Sequence, residues 1–390
     1  MLAGPGIVPL AALFTSLAPL STDVYLPVLP QLAETFGASQ ALATGMITAV
    51  LLGLAVGQII GGPLSDQRGR RPVLLWGLGL FVFTTFLSGI APSIEVLLGI
   101  RFASGIAASL SFVVARAMLA DCMHGVQLAR GYALLGAITG IAPVVAPIFG
   151  GVLALFMGWR GIFIALAAVS ILLVLVAYLK VPETLPSDKR GDSGLGSALS
   201  DIGLLFANRA FMAYVLMIAC GGGMLFAYLG SSSFILVDGF GFSPTLFSIV
   251  FAINSVGIFV LAFWGRHLVT RTGPNRLLWW GQAITFVGSV LVFIGLASSV
   301  LAVLLVGFFL AIAANTWVFA NATAIGFDVA PARAGAASAM LGVAGFAVGG
   351  LLAPLTGMGT VALGVMMVIF TGGGLLVHQF VARPYLARST

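Results

Sequence analysis

Runs of about 20 apolar residues recur along the whole chain, and that is the length a helix needs to cross the hydrocarbon of a bilayer. They fall near 6–28, 42–63, 73–91, 95–118, 131–155 and 160–179, and again near 210–234, 243–265, 277–297, 300–324, 335–357 and 360–381. Inside lipid a backbone must satisfy its own hydrogen bonds, so each run predicts a helix. Only 7% of the residues are Asp, Glu, Lys or Arg, where a soluble domain has about 25%. No water-facing surface can be built from that composition. The fold class expected is an all-α membrane protein with twelve transmembrane helices.

One polar stretch, rich in charge, Gly and Ser, interrupts the series and divides it six plus six. The organisation expected is an N-terminal six-helix bundle over 1–180, a linker over 181–208 and a C-terminal six-helix bundle over 209–390. Charge placement gives the orientation, because Lys and Arg collect in cytoplasmic loops. With Arg68, Arg70 and Arg71 set inside, fourteen of the 17 basic residues fall on the same side. Among them are Arg130, Lys180, Lys189, Arg190, Arg209, Arg266, Arg271, Arg276, Arg333, Arg383 and Arg388. Both termini and the linker are then cytoplasmic. The net charge of +6 is a topology signal on this reading, and no nucleic-acid partner is expected.

The halves also repeat. Residues 62–77 and 266–281 align, matching Leu64, Gly69, Leu74, Trp76 and Gly77 with Leu268, Gly273, Leu278, Trp280 and Gly281. Duplicated helix bundles are the usual build of alternating-access transporters, with the substrate held between them near the midplane. Cys122 and Cys220 have neither disulfide nor metal-ligand spacing. The first apolar run lacks a basic leader and reads as a retained helix. No metal cluster, phosphate loop, nucleophile triad or cofactor motif is visible, so neither a cofactor nor an enzyme is expected.

The segment GGPLSDQRGRRPVLLWG (61–77) resembles the loop signature of the major facilitator superfamily. Gly62, Leu64, Asp66, Gly69, Arg70 and Arg71 are in place, with Gln67 where a basic residue is common. The resemblance implies two pseudo-symmetric bundles and a conformational latch made by Asp66, Gly69, Arg70 and Arg71. The Asp66 carboxylate would be drawn to the N-terminus of the eleventh helix near Gly335. A basic turn that merely sets topology is the plainer alternative. STDVYLPVLP (21–30) and ARAMLAD (115–121) resemble the bicyclomycin and chloramphenicol/florfenicol efflux branch, and RFASGIAAS (101–109) resembles the family's R-F-x-Q-G motif with Ser104 for the usual Gln. In the fifth run, IAPVVAPIFGG (141–151) resembles the antiporter motif through Pro143, Pro147, Gly150 and Gly151, with Ala146 replacing its first Gly. Packing alone would also use such a pattern. The resemblance implies a bacterial inner-membrane exporter of small lipophilic drug-like compounds in exchange for protons.

Asp23 is the one acid placed well inside a span. An ionised Asp there costs about 2.5–3.5 kcal/mol, so a carboxyl at this point is suited to taking up and releasing a proton. Outer-interface water, with Thr22 and Tyr25 as caps and Pro27 and Pro30 ending the helix, is the alternative. Arg101, about 9 Å into the fourth helix, stays charged and is expected to adjust proton affinity, unless it snorkels. Tyr25, Arg116, Asn254, Asn315, Trp317 and Asn321 are candidates for the substrate cavity, since aromatics supply area and amides orientation. Residues of these types equally bind helices together. A monomer is expected, with a small-molecule substrate, protons and the lipid bilayer as partners. The rival readings are a facilitator or symporter importing a metabolite, and a membrane-embedded enzyme or receptor.

Overall fold

The computed structural model describes residues 7–123, 125–186, 190, 195–330, 334–352 and 361–382. Helices make up nearly all of it, and no strand occurs among the described residues. The helices are α1 (Ile7–Thr35), α2 (Gln40–Arg68), α3 (Arg70–Gly89) and α4 (Ile94–Cys122). A continuous helical segment, Gly125–Lys180, bends at Gly158, whose φ of 58° and ψ of −170° lie outside helical space; it is two helices, α5 (125–157) and α6 (159–180). Then come α7 (Leu195–Phe206), α8 (Arg209–Gly239), α9 (Pro244–Thr272), α10 (Pro274–Ala297), α11 (Leu301–Val329), α12 (Ala334–Leu352) and α13 (Ala362–Val381). Ten segments among the described residues are long and apolar enough to cross a membrane. Dividing the one bent at Gly158 and adding α12 brings the number to twelve.

Local chemistry explains where the helices begin. Ser93, Asn208 and Ser243 each accept a backbone N–H from three residues ahead, at 3.4, 3.1 and 3.2 Å, and so cap α4, α8 and α9. The repeat shows in the backbone as well. Gly69 (φ 95°, ψ 156°) starts α3, and its counterpart Gly273 (φ 80°, ψ 157°) starts α10. Glycine alone visits that conformation at little cost, which is why both tight turns carry it.

Two expectations change. Pro27 and Pro30 do not end α1. They stand in the first turn of two new segments, the 3-10 turn Leu26–Val28 and the helix Leu29–Thr35, where a missing N–H costs nothing. The linker also contains a helix, α7, whose apolar Leu205 is buried while Leu204 and Phe206 are exposed. Lys189, Arg333, Arg383 and Arg388 lie outside the described residues.

Two compact units divide the chain: residues 1–38 with 45–197, and residues 39–44 with 198–390. In the first, α3 packs on α4 and on the α5–α6 segment, and the first part of α1 packs on the same two. In the second, the core gathers Phe211, Tyr214, Ile218, Leu278, Val318 and Leu341 from α8, α10, α11 and α12. Thr44 belongs to that unit, donating its hydroxyl to the Gly230 carbonyl at 3.1 Å. Large apolar side chains such as Phe156, Leu172 and Ile369 stay exposed, as a lipid-facing surface requires.

Candidate functional site

The break in α1 creates the most unusual place in the first unit. Pro27 has no N–H to give the Asp23 carbonyl, so regular bonding stops there. The chain resumes through a 3-10 turn in which Val28 donates to the Tyr25 carbonyl at 3.0 Å. Asp23, the last helical residue before the gap, is only 4% exposed. Its Oδ1 accepts from the Thr22 hydroxyl at 2.7 Å, and that hydroxyl also lies 3.1 Å from the Pro19 carbonyl. The pair serves both protonation states. An ionised Asp23 accepts from Thr22, and a protonated one can donate to Thr22 while the hydroxyl turns to Pro19.

Three other helices close on this break. From α4, Arg101 is fully buried and gives Nη2 to the Ser21 carbonyl and, at 3.0 Å, to the Ser21 hydroxyl. Its guanidinium carbon lies 5.0 Å from the Tyr25 ring centroid and 5.2 Å from that of Phe163 on α6. A desolvated cation–π contact is worth about 2 kcal/mol, so the two rings stand in for a missing carboxylate. Among the described residues, the buried Arg101 Nε and Nη1 and the Tyr25 hydroxyl have no hydrogen-bond partner. Arg101 therefore grips α1 one turn ahead of the break and forms no ion pair with Asp23. From α5, Gly150 comes so close that a Cβ there would sit 1.7 Å from the Val24 carbonyl oxygen. Pro147 and Gly151 are buried on the same helix, while the side-chain surroundings of Pro143 lie outside the described residues.

The loop at the far end of α2 forms a second cluster. Arg70 Nη1 binds Asp66 at 2.5 Å and the Ser65 hydroxyl at 2.6 Å, and Nε binds Asp121 at 3.0 Å. The Glu183 carboxylate accepts the backbone N–H of Arg70 at 2.9 Å and that of Leu185 at 3.1 Å, with Arg190 at 3.4 Å. Thr184 adds a hydroxyl to Asp121 at 2.9 Å. Arg71 gives Nη2 to the Tyr178 carbonyl at 2.9 Å. The turn is thus tied to the ends of α4 and α6 within its own unit. The helix start expected to attract Asp66, near Gly335, is the beginning of α12 and belongs to the other unit.

The six cavity candidates scatter. Tyr25 belongs to the α1 break. Arg116 is exposed on α4, its guanidinium carbon 4.5 Å from the Phe112 ring. Asn254 donates to the Tyr228 hydroxyl at 3.0 Å, beside a group of rings that includes Phe251 and Phe308. Asn315 binds the Gly221 carbonyl, Trp317 the Leu261 carbonyl and Asn321 the Trp317 carbonyl, at 3.1, 2.6 and 2.7 Å. Asn315 and Trp317 thereby tie α11 to the backbone of α8 and α9, whereas Asn321 bonds back onto its own helix. Sequence reasoning missed Ser21, Phe163, Asp121 and Glu183 as members of these clusters. Only the two acids carried a signal, each being a charge at the end of a span.

The family model "Major Facilitator Superfamily" matches residues 11–354. The chain is 34% identical over 370 residues to "Uncharacterized MFS-type transporter YdgK" of Bacillus subtilis, covering 92% of this chain and 91% of that one. It is 26% identical over 375 residues to the "Bicyclomycin resistance protein homolog" of Haemophilus influenzae, covering 96% and 94%. The crystal structure of a D-xylose-proton symporter superposes with a TM-score of 0.79 over 96% of both chains at 16% identity, a likeness of fold alone. A break-bearing first helix, a repeated glycine turn and a family match over most of the length have one reading: the chain is a transporter and belongs to the major facilitator superfamily.

Proposed function

We propose that this protein exports small lipophilic drug-like compounds across the bacterial inner membrane in exchange for protons, by alternating access of two six-helix bundles. The observation that carries the reading is Asp23: a buried acid on the α1 break, bonded to a hydroxyl that suits it with or without its proton. Arg101 supports the assignment by fixing the adjacent turn while leaving the carboxyl unpaired. A relative named for bicyclomycin resistance supports efflux, and bicyclomycin and amphenicol antibiotics are the compounds to try first. Substrate contacts are assigned to Tyr25, Arg116 and Asn254, whereas Asn315 and Trp317 position helices and Asn321 bonds within its own. Both termini and the linker are assigned to the cytoplasm, and the working unit is a single chain.

Everted vesicles containing the protein should accumulate a lipophilic test compound when their lumen is acidified, and accumulation should collapse on addition of a protonophore. Uptake indifferent to the gradient would favour a facilitator and sink the exchange reading. The Asp66 loop is assigned the role of a latch between conformations. Asp66→Asn weakens the charge-assisted bond to Arg70, where charged hydrogen bonds are worth about 1.5–3 kcal/mol. Transport by that variant should fall several-fold at unchanged membrane abundance, and full transport would show the turn to be a topology signal only.

A further inference from the structure

At the end of the first unit where α2 turns into α3, positive charge among the described residues exceeds what their acids neutralise. Arg70 takes up Asp66 and Asp121, and Arg190 takes up Glu183. Arg71 and Lys180 have no carboxylate among the described residues. Both line an open cavity of about 510 Å3, together with Tyr178 and Leu179. Arg71 is held in place by its bond to the Tyr178 carbonyl and by stacking at 5.5 Å over the Tyr178 ring, which leaves its other N–H groups for a ligand.

The depth of the cavity narrows the ligand. The span α3 begins at Arg70 and the span α6 ends at Lys180, so the cavity sits at the edge of the hydrocarbon, level with lipid phosphates. Its wall is amphipathic: Tyr178 is 60% exposed and Leu179 73% exposed, both at the level where acyl chains begin. Glu183 also lines the cavity, but its oxygens already receive Arg70, Leu185 and Arg190, so among the described residues no free acid faces an ammonium headgroup there. We infer that this cavity binds the headgroup phosphate of an anionic phospholipid, with Arg71 and Lys180 as its charge partners and Tyr178 and Leu179 against the acyl chains. Basic recesses between spans at a membrane edge are suited to such headgroups. Because Arg71 adjoins the Asp66–Arg70 pair, the bound lipid would share an element with the loop assigned as a latch.

The test is native mass spectrometry of the delipidated full-length chain, titrated with phosphatidylglycerol, phosphatidylcholine or inorganic phosphate. Phosphatidylglycerol should bind in preference to phosphatidylcholine. Lys180→Gln should weaken it about fivefold, and the double variant with Arg71→Gln about 25-fold, as expected of one surface charge each. Lys180 is exposed, so the single variant leaves the fold intact. Arg266→Gln, another cation lying on an aromatic ring, should change nothing. Equal loss in Arg266→Gln would mean diffuse attraction to basic surface and overturn the site. Displacement of the lipid by millimolar inorganic phosphate would make it a soluble-anion site and overturn the lipid. An unaffected Lys180→Gln would also end the proposal.

Discussion

Asp23→Asn should abolish the response of transport to a proton gradient while leaving the protein as stable as wild type or more so. The two halves of that expectation pull in opposite directions, which is what makes them informative. An ionised carboxylate inside a span costs about 2.5–3.5 kcal/mol, and the amide removes that cost while still accepting from Thr22. Arg101 loses nothing, because it is bonded to Ser21 and stacked on Tyr25 and Phe163 rather than paired with Asp23. Thermal melting in detergent should therefore hold or rise. Gradient-driven accumulation in everted vesicles should drop to the level of vesicles without the protein. Exchange of labelled for unlabelled substrate, which needs no net proton movement, should persist. If exchange is also lost at unchanged melting temperature, Asp23 binds the substrate and not the proton. If gradient-driven accumulation survives, the coupling site lies elsewhere.

How much of this was legible beforehand depends on whether a feature is local. Span lengths, the basic loops and the Gly69–Gly273 repeat depend on residues near one another in the chain, and hydropathy and charge reveal them. The prolines of α1 were legible as breakers but not in their sense: one pattern ends a helix or restarts it, and burial by neighbouring helices decides which. The charges, Gly and Ser of the linker concealed α7, although seven of its 12 residues are apolar. Asn315, Trp317 and Asn321 show the limit most plainly. A polar side chain in an apolar span looks the same whether it meets a substrate or a backbone carbonyl 94 residues away, as Asn315 does at Gly221. Phe163 gave no signal at all, because its role depends on Arg101 arriving from another helix.

Gly150→Val should cost both stability and transport, and for a reason that no side chain can relieve. At this position the Cβ of any other residue would stand 1.7 Å from the Val24 carbonyl oxygen and 2.8 Å from its carbon. Reaching the 3.4 Å of ordinary contact means separating α5 from the α1 break by about 1.7 Å. Overpacking of that kind costs about 1–3 kcal/mol, and the displaced segment is the one that orients Asp23 and Tyr25. Misplacing a reacting group by about 1 Å is enough to cost roughly 100-fold in rate, so gradient-driven transport should suffer more than folding does. Gly79→Ala on α3 is the matched control, because nothing lies within 4 Å of its added methyl. It should be neutral or stabilising by about 0.5–1 kcal/mol. The obstacle at Gly150 is backbone, so trimming the neighbour with Val24→Ala should give no rescue. Rescue by that second change would show that side-chain crowding is responsible. Normal transport by Gly150→Val would mean that this glycine has no part in seating the proposed proton site at Asp23.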